Sequence, residues 1–507
     1  MVPAGGALAD TVVAASPLVV AVTVLLLLRR SAVVAGVLGC GLAMAVACFW
    51  PAFALSGAGL ALAVLRGLLV TLLVAYVVFF GLLLYQLMAR GQAMARLATR
   101  LAALGGDRAA RTLLLCLPLG AFFEGASGFG VGIVIVAPLL LALGYAPSHA
   151  ALLALLTQNA VPWGALAVGT LLGAELAGLA PTELGEGCAY LSLLLFPYFG
   201  ALALWLGEGP RALRRHAGLL GLTSLLMVLA AWGGTRLFGV ELAMVVGGVV
   251  VAGVLVSRLP GRTRPVPGVP AEDAPMPTTA RAVAPYAALA TGLLLSRLLP
   301  PLRDWLLTHA VLSVPAVAFA LPLLYSPGFW LAVACAVAVV VLRLDRAAVV
   351  AELRQTARRW WLATLALAAF LVLAEVMLRA GMTARLAASA AAALGSAYLL
   401  AAPAVGGLAG FLTGSNAAGN AMLLPFQLQM AERLSVPPLV LAAVHNTTAA
   451  DLSLASPQRV VLATAVVGLS GQEGLLLRRA LPVGLGIVVL ITVEEVAWLA
   501  LLGRGTP

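Results

Sequence analysis

The stretch Gly120-Ala-Phe-Phe-Glu-Gly-Ala-Ser-Gly-Phe-Gly130 sets one carboxylate, Glu124, among four glycines and a serine. It interrupts an apolar run from Thr112 to Tyr145 that otherwise reads as membrane-buried helix. In hydrocarbon, unwound backbone survives only where protein or a water-filled cavity satisfies its N–H and C=O groups. An ionisable group at such depth costs roughly 2.5–3.5 kcal/mol on insertion scales, which makes it a functional candidate. Two half-helices meeting at a glycine-rich tip form a site for a small anion or ion. The chemistry expected is recognition and transport.

Three further segments have the same character. Thr157-Gln-Asn-Ala-Val-Pro-Trp-Gly164 follows the first; Phe411-Leu-Thr-Gly-Ser-Asn-Ala-Ala-Gly-Asn-Ala421 and His445-Asn-Thr-Thr-Ala-Ala-Asp-Leu-Ser453 repeat the arrangement in the second half. The two segments of each pair begin 157 − 122 = 35 and 445 − 411 = 34 residues apart. At about 1.5 Å per helical residue, that spacing allows a hairpin arm, a turn and a helix back to the same depth. Gly125, Gly128 and Gly414 let backbone amides approach a ligand, and Ser127, Asn159, Thr413, Ser415, Asn416, Asn420 and Asn446 offer uncharged donors. These suit a small carboxylate without trapping it, as a buried arginine would. Glu124 and Asp451 are the natural proton carriers, because removal from water favours the neutral acid, and His445 beside Asn446 is a candidate relay. Close packing of small residues is the structural alternative for each glycine-rich break.

The elements that must hold these groups follow from composition. The chain has 507 residues, of which 63% are hydrophobic and 10% charged, with a mean hydropathy of +1.09. That is an all-α polytopic membrane protein. The net charge of +11 comes from arginine alone, since no lysine occurs, and it reads as membrane topology with no nucleic-acid partner. Absence of lysine also excludes a Schiff-base enzyme and a Walker-type ATPase. The five cysteines and four histidines have no metal-ligand spacing, so neither metal nor cofactor is expected.

Runs of spanning length predict about 12 transmembrane helices: Thr11–Leu28, Ala32–Phe53, Leu60–Met88, Ser148–Gly178, Ala189–Leu206, Ala217–Thr235, Phe238–Val256, Val283–Leu302, Ser326–Leu342, Trp360–Leu378, Leu439–Gly468 and Leu481–Leu502. Thr112–Tyr145 and Ala401–Met430 are broken midway and predict two re-entrant hairpins. The arginine clusters then all fall on one side, with both termini and the stretch Thr383–Ala402 opposite. Pro260–Thr279 is a proline-rich linker, which divides the chain into halves 1–259 and 281–507 around a 260–280 connection. Met88/Met377, Arg90/Arg379, Phe122/Phe411 and Gly125/Gly414 all differ by 289, and the arginine walk places the copies in opposite orientation, as inverted repeats. Arg66, Arg236 and Arg297 lie near span ends and are expected to snorkel. Glu375 is expected to pair with Arg379, Trp163 is a candidate pocket wall, and Gln92–Gly105 reads as an interfacial helix.

Glu124-Gly-Ala-Ser-Gly-Phe-Gly130, Leu412-Thr-Gly-Ser415 with Asn420-Ala, and Ser456-Pro-Gln458 followed by Ala463–Gly468 resemble the lactate permease family, in order over roughly residues 60–490. Ala374-Glu-Val-Met377 with Gly381-Met-Thr383 adds to the likeness. The resemblance implies proton-coupled uptake of a 2-hydroxy monocarboxylate such as lactate or glycolate across a bacterial inner membrane. More loosely, it implies the ion transporter superfamily fold, with paired hairpins and an elevator-like movement; separately, a homodimer is the candidate assembly. This chain departs from the family pattern. Val131-Gly132 replaces Thr-Pro, and Asn416-Ala-Ala-Gly-Asn420 replaces a stretch with an acid and several hydroxyls. The Gly-Lys pair expected before Ser456 is absent. Fewer hydroxyls point to a different or less polar carboxylate, so the expectation is an organic-acid transporter. The alternatives are sodium coupling, a channel, and a membrane enzyme, the last of which lacks any nucleophile–base spacing here.

Overall fold

The computed structural model describes residues 4–94, 96–97, 106–128, 130–258 and 277–503. Helices run α1 (Ala4–Leu26), α2 (Ala32–Phe49), α3 (Gly57–Arg90), α4 (Arg108–Ser127), α5 (Val131–Ala142), α6 (Pro147–Leu155), α7 (Gly164–Ala177), α8 (Pro181–Tyr190), α9 (Leu195–Glu208), α10 (Ala217–Phe238) and α11 (Val240–Arg258). After the connection come α12 (Thr279–Leu298), α13 (Pro300–Thr308), α14 (Pro327–Val341), α15 (Arg346–Arg379), α16 (Met382–Leu394), α17 (Tyr398–Thr413), α18 (Asn416–Arg433), α19 (Pro438–Leu452), α20 (Pro457–Val466) and α21 (Glu473–Leu501). Starts are set where the sequence offers caps. Ser56, Asp107, Asp345 and Ser456 accept from the backbone N–H three residues on, at 3.1, 2.9, 2.6 and 3.3 Å.

Nine helices among the described residues are long and apolar enough to cross a membrane, eleven if two bent pairs each count as one. The expected count of 12 is not reached because two of the expected crossings are not continuous and a third, Ser326–Leu342, holds only the 15-residue α14; two of the nine, Arg108–Ser127 and Met382–Thr413, lie outside the expected crossings. Ser148–Gly178 divides into α6 and α7 around irregular turns at 156–163, and Leu439–Gly468 divides into α19 and α20 at Ser453–Ser456. Pro162 and Pro457 lack the N–H a continuing helix needs. The segment His445–Leu452, expected to be part of a polar break, is helical, and the break follows it. Thr383–Ala402, expected to be a connection, is mostly the alanine-rich helix α16 and the start of α17. The all-α expectation also misses an antiparallel ribbon, β1 (Val311–Val314) with β2 (Phe319–Pro322), in which Val311 faces Pro322 and Val314 faces Phe319. Residues 259–276 of the expected linker, and most of the expected interfacial helix Gln92–Gly105, lie outside the described residues.

The 34-residue helices α3 and α15 begin and end 289 positions apart, at Gly57/Arg346 and Arg90/Arg379. They pack against each other antiparallel. Arg66 Nε meets Glu375 Oε1 at 3.1 Å, Phe79 stacks edge-on against Trp360 at 5.5 Å, and a Cβ on Gly67 would lie 2.8 Å from the Val372 backbone. With α2 they form a frame. Against it lie two helix–break–helix hairpins whose arms fold back on themselves. A Cβ on Gly132 (α5) would be 3.5 Å from the Gly120 carbonyl (α4), and one on Gly419 (α18) 3.3 Å from the Gly410 nitrogen (α17).

Candidate functional site

Each hairpin turns on glycine because the turn demands backbone angles other residues avoid. Gly128, which ends α4, has φ 61° and ψ −158°, a region nearly exclusive to glycine. Gly414, after α17, has φ 63°. The first arm carries a widened helical turn at Leu115–Leu119 around Pro118. Asn159 from the irregular 156–163 segment donates to the Cys116 carbonyl at 2.8 Å and so braces that turn. In the second hairpin Ser415 caps α18, accepting from Ala418 N at 3.3 Å. Thr413 Oγ1 lies 2.8 and 3.0 Å from the Ala409 and Ser415 carbonyls, which share its one proton.

The two tips open on one cavity of about 390 Å³. Glu124 and Gly128 reach it from the first hairpin, and Thr413, Gly414, Ser415 and Asn416 from the second. Val161, Gly164 and Gly169 line it from the first irregular segment and α7, Gln458 and Arg459 from the start of α20. Ser31 of the α2 cap, Val74 and Val78 of α3 and Leu367 of α15 close the frame side. The four polar segments named from sequence therefore supply residues to one hollow or its immediate support.

Glu124 is 1% exposed and holds two partners. Its Oε1 lies 3.5 Å from Arg459 Nη2, and its Oε2 accepts from Gln158 Nε2 at 3.1 Å. Arg459, 9% exposed, is thus a buried cation at the cavity wall. The expectation of donors without charge is corrected here: an arginine stands at the cavity wall beside Glu124. Arg459 and Gln158 are absent from the residues selected by sequence. The signal was available, because the basic residue the family resemblance calls for before Ser456 is missing and Arg459 follows Ser456-Pro-Gln458 at once.

The remaining candidates divide. Asn416 lines the cavity, and its Nδ2 donates to Asn446 Oδ1 at 3.1 Å. Asn420 donates to the same oxygen at 2.7 Å and to the Gly169 carbonyl at 2.9 Å. Asn446 Nδ2 in turn reaches Thr170 Oγ1 at 2.9 Å and Cys188 Sγ at 3.1 Å. Asn420 and Asn446 are thus a buried brace behind the tip and do not line the cavity. Ser127 bonds Tyr286 Oη at 3.1 Å, and Gly125 packs against Val245 of α11; neither lines the cavity. His445 Nε2 faces the Gly419 carbonyl at 3.2 Å, under the second hairpin. Asp451, 1% exposed, lies one helical turn past Thr447, outside the cavity lining. Trp163 points away from the cavity and donates to Thr235 Oγ1 at 3.0 Å.

The arginines expected to snorkel are each paired with a carboxylate. Arg66 bridges Glu375 at 3.1 Å and Glu175 at 3.4 Å, Arg297 meets Glu241 at 2.7 Å, and Arg236 meets Glu186 at 2.8 Å. Glu375 also lies 3.8 Å from Arg379, its expected partner. No group of three or more His, Cys, Asp or Glu among the described residues is arranged to hold a metal ion.

The chain is 25% identical to the L-lactate permease of Halalkalibacterium halodurans over 442 residues, 83% of this chain and 84% of that protein. It is 26% identical to the glycolate permease GlcA of Escherichia coli over 534 residues, 94% and 93% of the two chains. Among solved structures, the YdaH transporter of Alcanivorax borkumensis aligns over 86% of this chain and 87% of its own at 17% identity and a TM-score of 0.49, too low to carry a conclusion. The sequence model of the L-lactate permease family matches residues 10–306 and 306–502. The chain therefore belongs to the L-lactate permease family, as a multi-pass transporter of the bacterial inner membrane.

Proposed function

We propose that this protein is a secondary active transporter of small 2-hydroxy monocarboxylates, the class to which lactate and glycolate belong, driven by protons. The observation that carries this reading is the Glu124–Arg459 pair set at the wall of a cavity shared by both glycine tips. A buried cation that has lost its partner is strongly disfavoured, by about 3–5 kcal/mol. In the empty site Arg459 is neutralised by Glu124. A proton on Glu124 frees the guanidinium, whose planar fork then takes the substrate carboxylate. The two states with balanced charge are empty-deprotonated and loaded-protonated, so one proton accompanies each carboxylate. Gln158 keeps Glu124 in place through the exchange.

Movement is the relative displacement of the hairpin-bearing unit and the α2–α3–α15 frame, elevator fashion, with each hairpin re-entering the membrane from one side. The matching lengths of α3 and α15, their 289-residue offset and their antiparallel packing support a chain of two inverted halves joined near residues 260–280. Midway access from either face then follows from symmetry.

The test is uptake of labelled lactate and glycolate into proteoliposomes under an imposed proton gradient, with and without sodium. Uptake should rise as the outer pH falls and be indifferent to sodium. Glu124→Gln should lose accumulation driven by the gradient and its pH dependence while retaining counterflow exchange. Accumulation that follows sodium and ignores the proton gradient rejects proton coupling; wild-type behaviour in Glu124→Gln removes Glu124 from it.

A further inference from the structure

We infer that the cavity is built for 2-hydroxy acids with an apolar chain, of about four to six carbons in total and branched ones included, in preference to glycolate and lactate. This rests on the carboxylate-transport reading above. The polar capacity of the site is small and mostly committed. Thr413 Oγ1 spends its proton on carbonyls of its own hairpin, Ser415 Oγ accepts in capping α18 and keeps only its O–H for a ligand, and the next lining positions are Ala417 and Ala418. That leaves Arg459, Gln458 and the Ser415 hydroxyl proton for a carboxylate. Asn416 Oδ1 and Thr364 Oγ1 are buried without a hydrogen-bond partner among the described residues, and both side chains belong to cavity-lining residues. The Asn416 amide is held by its Nδ2 bond to Asn446, so Oδ1 is left as an acceptor. A 2-hydroxyl donates to it; a hydrogen or a 2-oxo group does not.

The facing wall is mostly apolar, with Ser31 and Thr364 as its polar members. Val74, Ala75 and Val78 of α3 stand opposite the tips with Ala363, Ala366 and Leu367 of α15. A cavity of about 390 Å³ exceeds what a three-carbon acid fills, and lies in the range of about 300–1,000 Å³ that holds larger ligands. A tail laid on this wall removes apolar surface from water, about 0.8 kcal/mol for each buried methylene, or roughly fourfold in affinity.

The experiment measures binding of an unbranched and branched series to the purified full-length protein by intrinsic tryptophan fluorescence, with competition against labelled lactate uptake in parallel. The series is glycolate, lactate, 2-hydroxybutyrate, 2-hydroxyisovalerate and 2-hydroxyisocaproate, with isocaproate and 2-oxoisocaproate as partners lacking the hydroxyl. Affinity should rise about three- to fourfold per added methylene, exceeding tenfold between lactate and 2-hydroxyisocaproate. Both partners lacking the hydroxyl should bind at least tenfold more weakly than the hydroxy acid. In Val78→Thr, a near-isosteric change, the slope of affinity with chain length should fall by half or more, a ratio that misfolding does not alter because misfolding scales all acids alike. A flat or inverted slope, with glycolate or lactate binding best, overturns this inference and leaves carboxylate transport standing. Binding of none of the acids overturns both. Equal binding of isocaproate and 2-hydroxyisocaproate overturns the part assigned to Asn416.

Discussion

Arg459 and Glu124 have side chains 11% and 2% exposed, and neither charge is tolerable there alone. Their coupling is testable by a double-variant cycle. Arg459→Gln strands the Glu124 carboxylate, with only the Gln158 amide left to it, and should lower the melting temperature of the purified protein. Adding Glu124→Gln removes the stranded charge and should restore most of that loss, while uptake remains absent in both. A double variant no more stable than Arg459→Gln would mean the pair does not interact. At this scale the sequence was a partial guide. Glu124 stood out because a carboxylate within an apolar run needs a reason. Arg459 did not, although it falls inside the expected crossing Leu439–Gly468, because its partner lies 335 positions away and only the packing of α20 against the first hairpin brings it to the carboxylate.

Among the elements, the second hairpin is held by amide pairing, where the first is held by ion pairing. Asn446 Oδ1 accepts from both Asn416 and Asn420, and its Nδ2 ties the cluster to α7 and α8. Asn446→Leu should destabilise the protein by about 2–4 kcal/mol, because it leaves buried amides of Asn416 and Asn420 without their acceptor. Thermal unfolding checks this, and a change within about 0.5 kcal/mol would show the network to be dispensable. The approach is close enough that a Cβ on Gly169 would fall 2.4 Å from Asn416 Nδ2. Polar residues at 416, 420 and 446 were legible as a group, since three asparagines in apolar helices require partners. Their split into one cavity residue and two braces was not legible, because helical spacing fixes the side of each helix and says nothing of which neighbour occupies it.

At the scale of the whole molecule, an ionic contact among the described residues joins the frame to the hairpin-bearing unit. Arg66 of α3 reaches Glu175 on α7 and Glu375 on α15. With Arg66 22% and Glu175 34% exposed, the Arg66–Glu175 bond contributes at most about 1 kcal/mol after solvent screening. If α7 moves with the hairpins, the bond must break on each passage. Glu175→Gln should therefore raise the counterflow rate about two- to fivefold with the half-saturating substrate concentration unchanged. An unaltered rate would place α7 with the frame. Glu375 keeps Arg379 as a second partner, so the frame itself should survive this change.

Composition alone determined that the chain lives in a membrane, because 63% hydrophobic residues with 10% charge cannot be covered by the polar surface a soluble domain needs. The glycine tips were also written in the sequence. Positive φ at Gly128 and Gly414 is a local demand, met by residue type and independent of what lies beyond. Tertiary structure decided the rest. Which polar groups share one hollow, which arginines are paired and which expected crossings break in two all depend on contacts between residues far apart in the chain, 335 positions in Glu124–Arg459. The energy of such contacts comes from desolvation and partner geometry, and neither is encoded in the spacing of residues along the chain.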